Sequence, residues 1–228
     1  MAYRGAIFDL DGTLLDSMGI WANLCSDFLR EHGIREHSSE VEKKLVVLSL
    51  HNAVRYMIET YHLDDDPEEA CARIWKRVED FYRDQAELKP GVSAILDALS
   101  RAGIPAGIIT ATEPELVAIA LRRVGLADYF AGGVMSCVTL QTSKRQPEVF
   151  LAMASRLGVV PGQTVVFEDA FYAGRTAKNA GFALAAVADP YEKRQAELAE
   201  VADWYCPTWA DFPLEVLQRG MKDPVEKK

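Results

Sequence analysis

Apolar positions along this chain fall into two kinds of run, and their order carries the architecture. Ala6-Ile7-Phe8, Ala106–Ile109, Gly133–Cys137, Thr164–Phe167 and Phe182–Val187 are short, nearly unbroken apolar stretches bounded by turn-prone or polar residues. Such runs predict strands buried on both faces, because a strand with one wet face would alternate. Between them lie stretches with helical spacing at Ser93–Ala102, Glu113–Val124, Pro147–Leu157 and Ala170–Ala180. Each is followed by a glycine (Gly103, Gly125, Gly158, Gly181), the residue that most readily takes the left-handed conformation ending a helix. Pro147 stands where a first helical turn tolerates proline.

The stretch 17–86 reads differently. Helical spacing runs from about Ser17 to His32, through Trp21, Leu24, Cys25, Phe28 and Leu29, and Gly33 ends it. It resumes near Val41–Leu48, Asn52–Tyr61 and Pro67–Leu88, with no strand pattern. One strand pattern precedes this block and the others follow it. The expectation is an α/β chain: a parallel sheet built from residues 1–16 and 87–228, covered by helices on both faces, with residues 17–86 inserted on the first strand's exit loop.

Composition narrows the class. At 228 residues, 49% hydrophobic and 26% charged, the chain suits one large domain or a core with an insert, and only the polar end Lys222–Lys228 reads as disordered. The formal charge of −9 and the lack of a basic cluster argue against a nucleic-acid partner, whose affinity would come from phosphate contacts. An acidic chain still binds a phosphate where a cation or local donors focus the field. Cys25, Cys71, Cys137 and Cys206 are scattered, without zinc spacing or a compact disulfide framework, and read as thiols in a reducing compartment. The opening Met1–Asp9 has too short an apolar stretch for a signal peptide, and no apolar run reaches the ~18 residues of a membrane span. The expectation is a cytoplasmic protein with no membrane partner; oligomeric state is not legible.

Ligands of open parallel sheets bind beyond the carboxyl ends of the strands. The first strand exits into Asp9-Leu10-Asp11-Gly12-Thr13, two carboxylates that are costly there unless paired or bound to metal. A turn with a helix cap is the structural alternative, and Asp16-Ser17 reads as an N-cap for the next helix. The second strand exits into Thr110-Ala111-Thr112-Glu113-Pro114, where either threonine hydroxyl, with nearby N–H groups, suits an anion; simple capping by Thr112 is the alternative. The strand at 164–167 exits into Glu168-Asp169, adjacent acids that suit a hard cation such as Mg²⁺ or a cap. Lys144 and Arg145 stand just before a helix start, against the helix dipole, which points to a use for the charge beyond a solvated loop. Together these are acids for a cation, a hydroxyl and a lysine for an anion, and a free carboxylate, the set that phosphoryl transfer needs.

With these motifs in order, the chain resembles the haloacid dehalogenase (HAD) superfamily of phosphotransferases. It is most similar to the branch with a helical cap between the first two motifs, which includes phosphoglycolate phosphatase-like enzymes and β-phosphoglucomutase. The resemblance rests on Phe8-Asp-Leu-Asp-Gly-Thr-Leu-Leu-Asp16, Ile108-Ile-Thr110, Lys144, and Val166-Phe-Glu-Asp169 with Gly174 and Ala180-Gly181. It implies a Rossmann-like core with a helical cap, Asp9 as the nucleophile that becomes an aspartyl-phosphate, and Asp11 as acid and then base. It further implies Mg²⁺ held by Asp9, the carbonyl of Asp11, Asp169 and Glu168 (directly or through water), and phosphoryl oxygens bound by Thr110 and Lys144. Asp11 argues against a true dehalogenase, whose motif lacks this second acid.

The chain departs from the family in places. Ser143-Lys-Arg-Gln-Pro-Glu148 stands where Gly-Lys-Pro-x-Pro-Asp is usual, and Ala170 where a small hydroxyl residue often follows Glu-Asp. Trp21 stands near the mutase's histidine, and Val46–Leu50 carries no arginine where the mutase binds its second phosphate. Cap residues Trp21, Ser49, Leu50, Lys76 and Arg77 are candidates to line the substrate site. The expected function is a phosphatase acting on a small phosphorylated metabolite. The alternatives are a sugar-phosphate mutase and a non-enzymatic phospho-ligand-binding protein; the latter would have no need of Asp11.

Overall fold

Among the described residues, six parallel strands form one sheet in the order β3-β2-β1-β4-β5-β6. They are β1 (Gly5–Phe8), β2 (Ala106–Thr110), β3 (Val134–Ser136), β4 (Thr164–Glu168), β5 (Ala183–Val187) and β6 (Trp204–Cys206). The computed structural model describes residues 3–36, 38–45 and 48–218. β1 is central, with Phe8 in register with Ile108 of β2 and Phe167 of β4. The exits of these three strands therefore lie side by side, at the sheet edge where the candidate residues cluster. β1, β2 and β4 are buried throughout, as their unbroken apolar runs require.

The chain divides into two units, residues 1–17 with 86–228, and residues 18–85. The smaller unit contains α1 (Met18–Glu31), α2 (Ser39–Leu45), α3 (Leu50–Tyr61) and α4 (Pro67–Asp84). Its apolar stripes, Leu24 and Phe28 of α1, Val54 and Met57 of α3, Ile74 and Val78 of α4, are buried. Asp66 caps α4 by accepting from the N–H groups of Glu68 and Glu69, with Pro67 in the first turn.

In the larger unit, α5 (Val92–Ala102), α6 (Pro114–Arg123), α7 (Pro147–Leu157), α8 (Phe171–Asn179) and α9 (Gln195–Val201) connect the strands. On one face of the sheet, Ile7, Ile109 and Val166 pack with Phe150 and Met153 of α7 and with Ala173 and Ala177 of α8. Gly107 permits this approach: a Cβ there would lie 2.4 Å from Met153 Sδ. Phe8 and Phe167 stack at 4.6 Å between ring centroids, and Trp209 lies 5.2 Å from Phe167. Among the described residues the four cysteines are unpaired, and no helix is long and apolar enough to cross a membrane.

The helix expected over Pro67–Leu88 stops at Asp84. Beyond it, the backbone of Glu87 and Lys89 is taken up by the loop after β1, through Asp16 N–H to Glu87 O and Lys89 N–H to Leu14 O, so helical bonding cannot continue. α2 ends at Leu45, short of the expected Leu48; Val46 and Val47, like the tail Lys222–Lys228, lie outside the described residues. β6 and α9 were not expected. β6 is a three-residue edge strand between Asp203 and Pro207, too short for a run to stand out.

Candidate active site

β1 ends at Phe8, but its pairing continues: the Asp9 N–H donates to Phe167 O at 3.0 Å. That bond fixes the backbone from which Asp9 projects. Gly12 then takes φ +84°, and the tight turn closes with Gly12 N–H to Leu15 O and Leu15 N–H to Leu10 O. The turn holds Asp11 and Thr13 beside the exits of the neighbouring strands.

Asp9, Glu168 and Asp169 offer one carboxylate oxygen each within 4.8 Å of one another, and all three are buried. Lys144, 4% exposed, comes from the segment before α7 and donates from Nζ to Asp9 Oδ1 at 2.5 Å and to Glu168 Oε2 at 2.8 Å. This is the use for the cation that opposed the dipole of α7. Its neighbour Arg145 lies over the Tyr172 ring, 4.4 Å from the centroid. The other oxygen of Glu168 accepts from the Ala170 N–H at 3.1 Å, and Asp169 Oδ1 accepts from Thr13 Oγ1 at 3.0 Å. Ala170 has no hydroxyl to cap α8, and Glu192 supplies that cap, accepting from the Phe171 N–H at 2.9 Å.

Burial pushes the Asp9 carboxyl up to about 6; the Lys144 charge pulls against this and the Glu168 charge adds to it. Asp169 is raised well above the carboxylate range, by burial first and then by the charges of Asp9 and Glu168. Burial works against the Lys144 ammonium, yet the facing carboxylates of Asp9 and Glu168 outweigh it and hold its pKa well above the ordinary value. Three buried carboxylates thus share one close ammonium. A hard divalent cation with oxygen ligands fits this donor set and would offset the burial and the mutual repulsion that raise both aspartates.

Asp11 has both carboxylate oxygens engaged. Ser17 Oγ donates to Oδ1 and Thr112 Oγ1 donates to Oδ2, each at 2.6 Å. Capping, the alternative open to Thr112 in the sequence, is not what its hydroxyl does. The N-cap of α6 is Glu113, without a side-chain bond, and the hydroxyls of Ser17 and Thr112 go instead to Asp11. Thr110 is buried at the end of β2, and its Oγ1 accepts from the Thr112 N–H at 3.1 Å.

The candidates Asp9, Lys144, Glu168 and Asp169 therefore meet in one cluster, with Asp11 on the turn after β1 and Thr110 at the end of β2. Thr13, Ser17 and Glu192 are partners of this machinery that the motifs did not single out. The candidates Trp21, Ser49, Leu50, Lys76 and Arg77 belong to the helical unit. There, Trp21 Nε1 donates to Tyr82 Oη at 2.9 Å, Ser49 caps α3, and Leu50 is the first residue of that helix. Lys76 pairs with Asp80 at 2.5 Å, and Arg77 pairs with Glu31.

Comparison with known proteins gives the family. The model of the haloacid dehalogenase-like hydrolases matches residues 6–187. A phosphoglycolate phosphatase of Salmonella typhi is 32% identical over 198 residues, covering 78% of each chain. A fructose-1-phosphate phosphatase of Escherichia coli is 29% identical over 179 residues, covering 78% of this chain and 93% of that one. In fold, the chain is similar to a HAD family hydrolase of Deinococcus radiodurans solved with bound phosphate and sodium, with a TM-score of 0.75 at 22% identity over 96% of this chain and 97% of that one. With the family model matched over most of its length and phosphatases among its relatives, the chain belongs to the haloacid dehalogenase-like hydrolases, on their phosphatase side.

Proposed function

We propose that this chain is a magnesium-dependent phosphatase of small organic phosphates, sugar phosphates foremost, that works through an aspartyl-phosphate on Asp9. The observation that carries the reading is the buried set of Asp9, Glu168 and Asp169 around Lys144, with a second aspartate, Asp11, held by two hydroxyls beside it. A structural cluster would have no use for so many uncompensated acids.

In the first half-reaction an Asp9 oxygen forms a bond to phosphorus, and the bond to the leaving oxygen breaks with its electron pair. The leaving oxygen takes the proton of the Asp11 carboxyl. In the second, a water oxygen attacks phosphorus and gives its proton to the Asp11 carboxylate. The bond from Asp9 to phosphorus breaks, returning the Asp9 carboxylate and releasing inorganic phosphate. Asp9, the Asp11 carbonyl and Asp169, with Glu168, would hold Mg²⁺, which when bound supplies positive charge against the phosphoryl oxygens. Lys144 shares that charge, and Thr110 offers a hydroxyl to the same oxygens. In this reading the helical unit 18–85 acts as the cap that selects substrate, with Trp21, Ser49, Leu50, Lys76 and Arg77 as the residues to test first, and the enzyme works in the cytoplasm.

The test is phosphate release from a panel of phosphorylated metabolites that includes fructose 1-phosphate and phosphoglycolate, with Mg²⁺ and with excess chelator. The reading expects Mg²⁺-dependent release of inorganic phosphate. Full turnover in chelator, or conversion of glucose 1-phosphate to glucose 6-phosphate without free phosphate, would count against it.

A further inference from the structure

We infer that Thr112 is a positioning residue for Asp11, one that fixes where the proton is delivered to the leaving oxygen. This rests on the phosphatase reading above and names a part that reading leaves out.

The hydroxyl of Thr112 has no local task. Helix α6 starts at Pro114, which has no N–H to cap, and no side-chain cap bond is made at Glu113. The side chain is buried, and its Oγ1 reaches across to Asp11 Oδ2 at 2.6 Å. Its backbone is tied on both sides. The N–H donates to Thr110 Oγ1 at 3.1 Å, and the carbonyl accepts from Ser136 Oγ at 2.8 Å. Ser136 is itself buried, in the last position of β3. A β-branched side chain on a backbone pinned in this way has few rotamers, so the hydroxyl sits at a fixed point.

Asp11, by contrast, sits in the turn after β1 and needs an external hold. Ser17 takes Oδ1 and Thr112 takes Oδ2. The two hydroxyls thus hold both oxygens of the carboxyl, one from each side. Thr112 thus carries the geometry of β2 and β3 to the acid. Misplacing a reacting group by ~1 Å costs on the order of 10²-fold in rate, so this hold is a quantitative matter.

Leaving-group chemistry isolates the effect. A sugar alkoxide is a poor leaving group and needs the Asp11 proton. A nitrophenolate departs without one. Thr112→Val keeps the shape and removes the donor. It should lower kcat/KM for fructose 1-phosphate by roughly 10–100-fold, part of the 10²–10⁴ of general acid catalysis, and for p-nitrophenyl phosphate by less than about 3-fold. Thr112→Ser should restore most of the loss. Inhibition by inorganic phosphate should be unchanged, and in an Asp11→Ala background the valine should cost nothing further. Thr112→Ala serves as a second donor-free variant should the valine not fold.

Equal losses on the two substrates, no loss on either, weaker inhibition by inorganic phosphate, or additive losses with Asp11→Ala would each overturn the inference. Failure of the underlying reading looks different: the unaltered enzyme would release no phosphate, or Asp9→Asn would keep its turnover.

Discussion

Lys144→Met removes the ammonium between Asp9 and Glu168 while keeping most of the apolar stem. The variant leaves Asp9, Glu168 and Asp169 buried together without the cation that bonds two of them. Removing one partner of a buried pair costs ~3–5 kcal/mol. For a chain of this length that is a fall in Tm of about 6–20 °C. The deficit also depends on pH, and its sign follows from Asp9. The folded pKa of about 6 lies above the ordinary aspartate value of 3.8, so between these limits the native state binds more proton than the unfolded chain. Stability therefore falls as pH rises through that window. Without Lys144 the pull that lowers the Asp9 pKa is gone, and the window extends upward. The difference between the unaltered protein and Lys144→Met should be largest above neutral pH and should shrink toward about pH 5. Thermal and urea unfolding in chelator near pH 7.5 and pH 5 measure it. A deficit under ~1 kcal/mol at the higher pH, or an equal deficit at both, would refute the electrostatic account of the cluster.

Other parts of the molecule give further tests. Trp209 packs on Phe167 and Phe8, and its Nε1 donates to Thr13 O at 3.1 Å, so Trp209→Ala should cost about 3–5 kcal/mol in urea unfolding, and a loss under ~1 would show the ring to be marginal. His32 is held above its usual 6.5 by the Phe28 carbonyl and, against desolvation, by Asp65. Its contribution is full below 6.5 and is lost as pH rises through the higher folded pKa, so His32→Gln should destabilise more near pH 6 than near pH 8.5, and the reverse order would contradict this sign. Arg77 pairs with Glu31 on a partly exposed surface, so Arg77→Ala should change stability by less than ~1 kcal/mol; a tenfold rise in KM would make it a substrate residue.

The sheet was legible because β1, β2, β4 and β5 are unbroken apolar runs, and parallel strands buried on both faces leave that signature. The acids stood out because carboxylates at the ends of such strands are costly without a purpose. Lys144 stood out because a cation at a helix start opposes the dipole. The hydroxyl partners were harder to read. Ser17 and Thr112 sit where a serine or threonine ordinarily caps the next helix, and the sequence does not say whether a hydroxyl will choose its own backbone or a carboxylate that is, for Thr112, 101 residues away. Nor does the sequence show that Glu192, 21 residues beyond Phe171, takes up the Phe171 N–H at the start of α8, where Ala170 has no hydroxyl to offer. β6 escaped because three residues at a sheet edge carry too little periodicity, although Asp203 ties that edge to Leu184 through both its N–H and its carboxylate.

The central claim is that Asp9 carries the phosphoryl group, and the most direct test is to look for it there. Enzyme mixed with Mg²⁺ and fructose 1-phosphate is quenched in acid during turnover, digested, and its peptides examined by mass spectrometry. A phosphoryl group on Asp9 in the unaltered protein, absent from Asp9→Asn together with turnover, is the predicted result. A phosphoryl group on another residue, or Asp9→Asn releasing phosphate at a near-normal rate, would contradict the account.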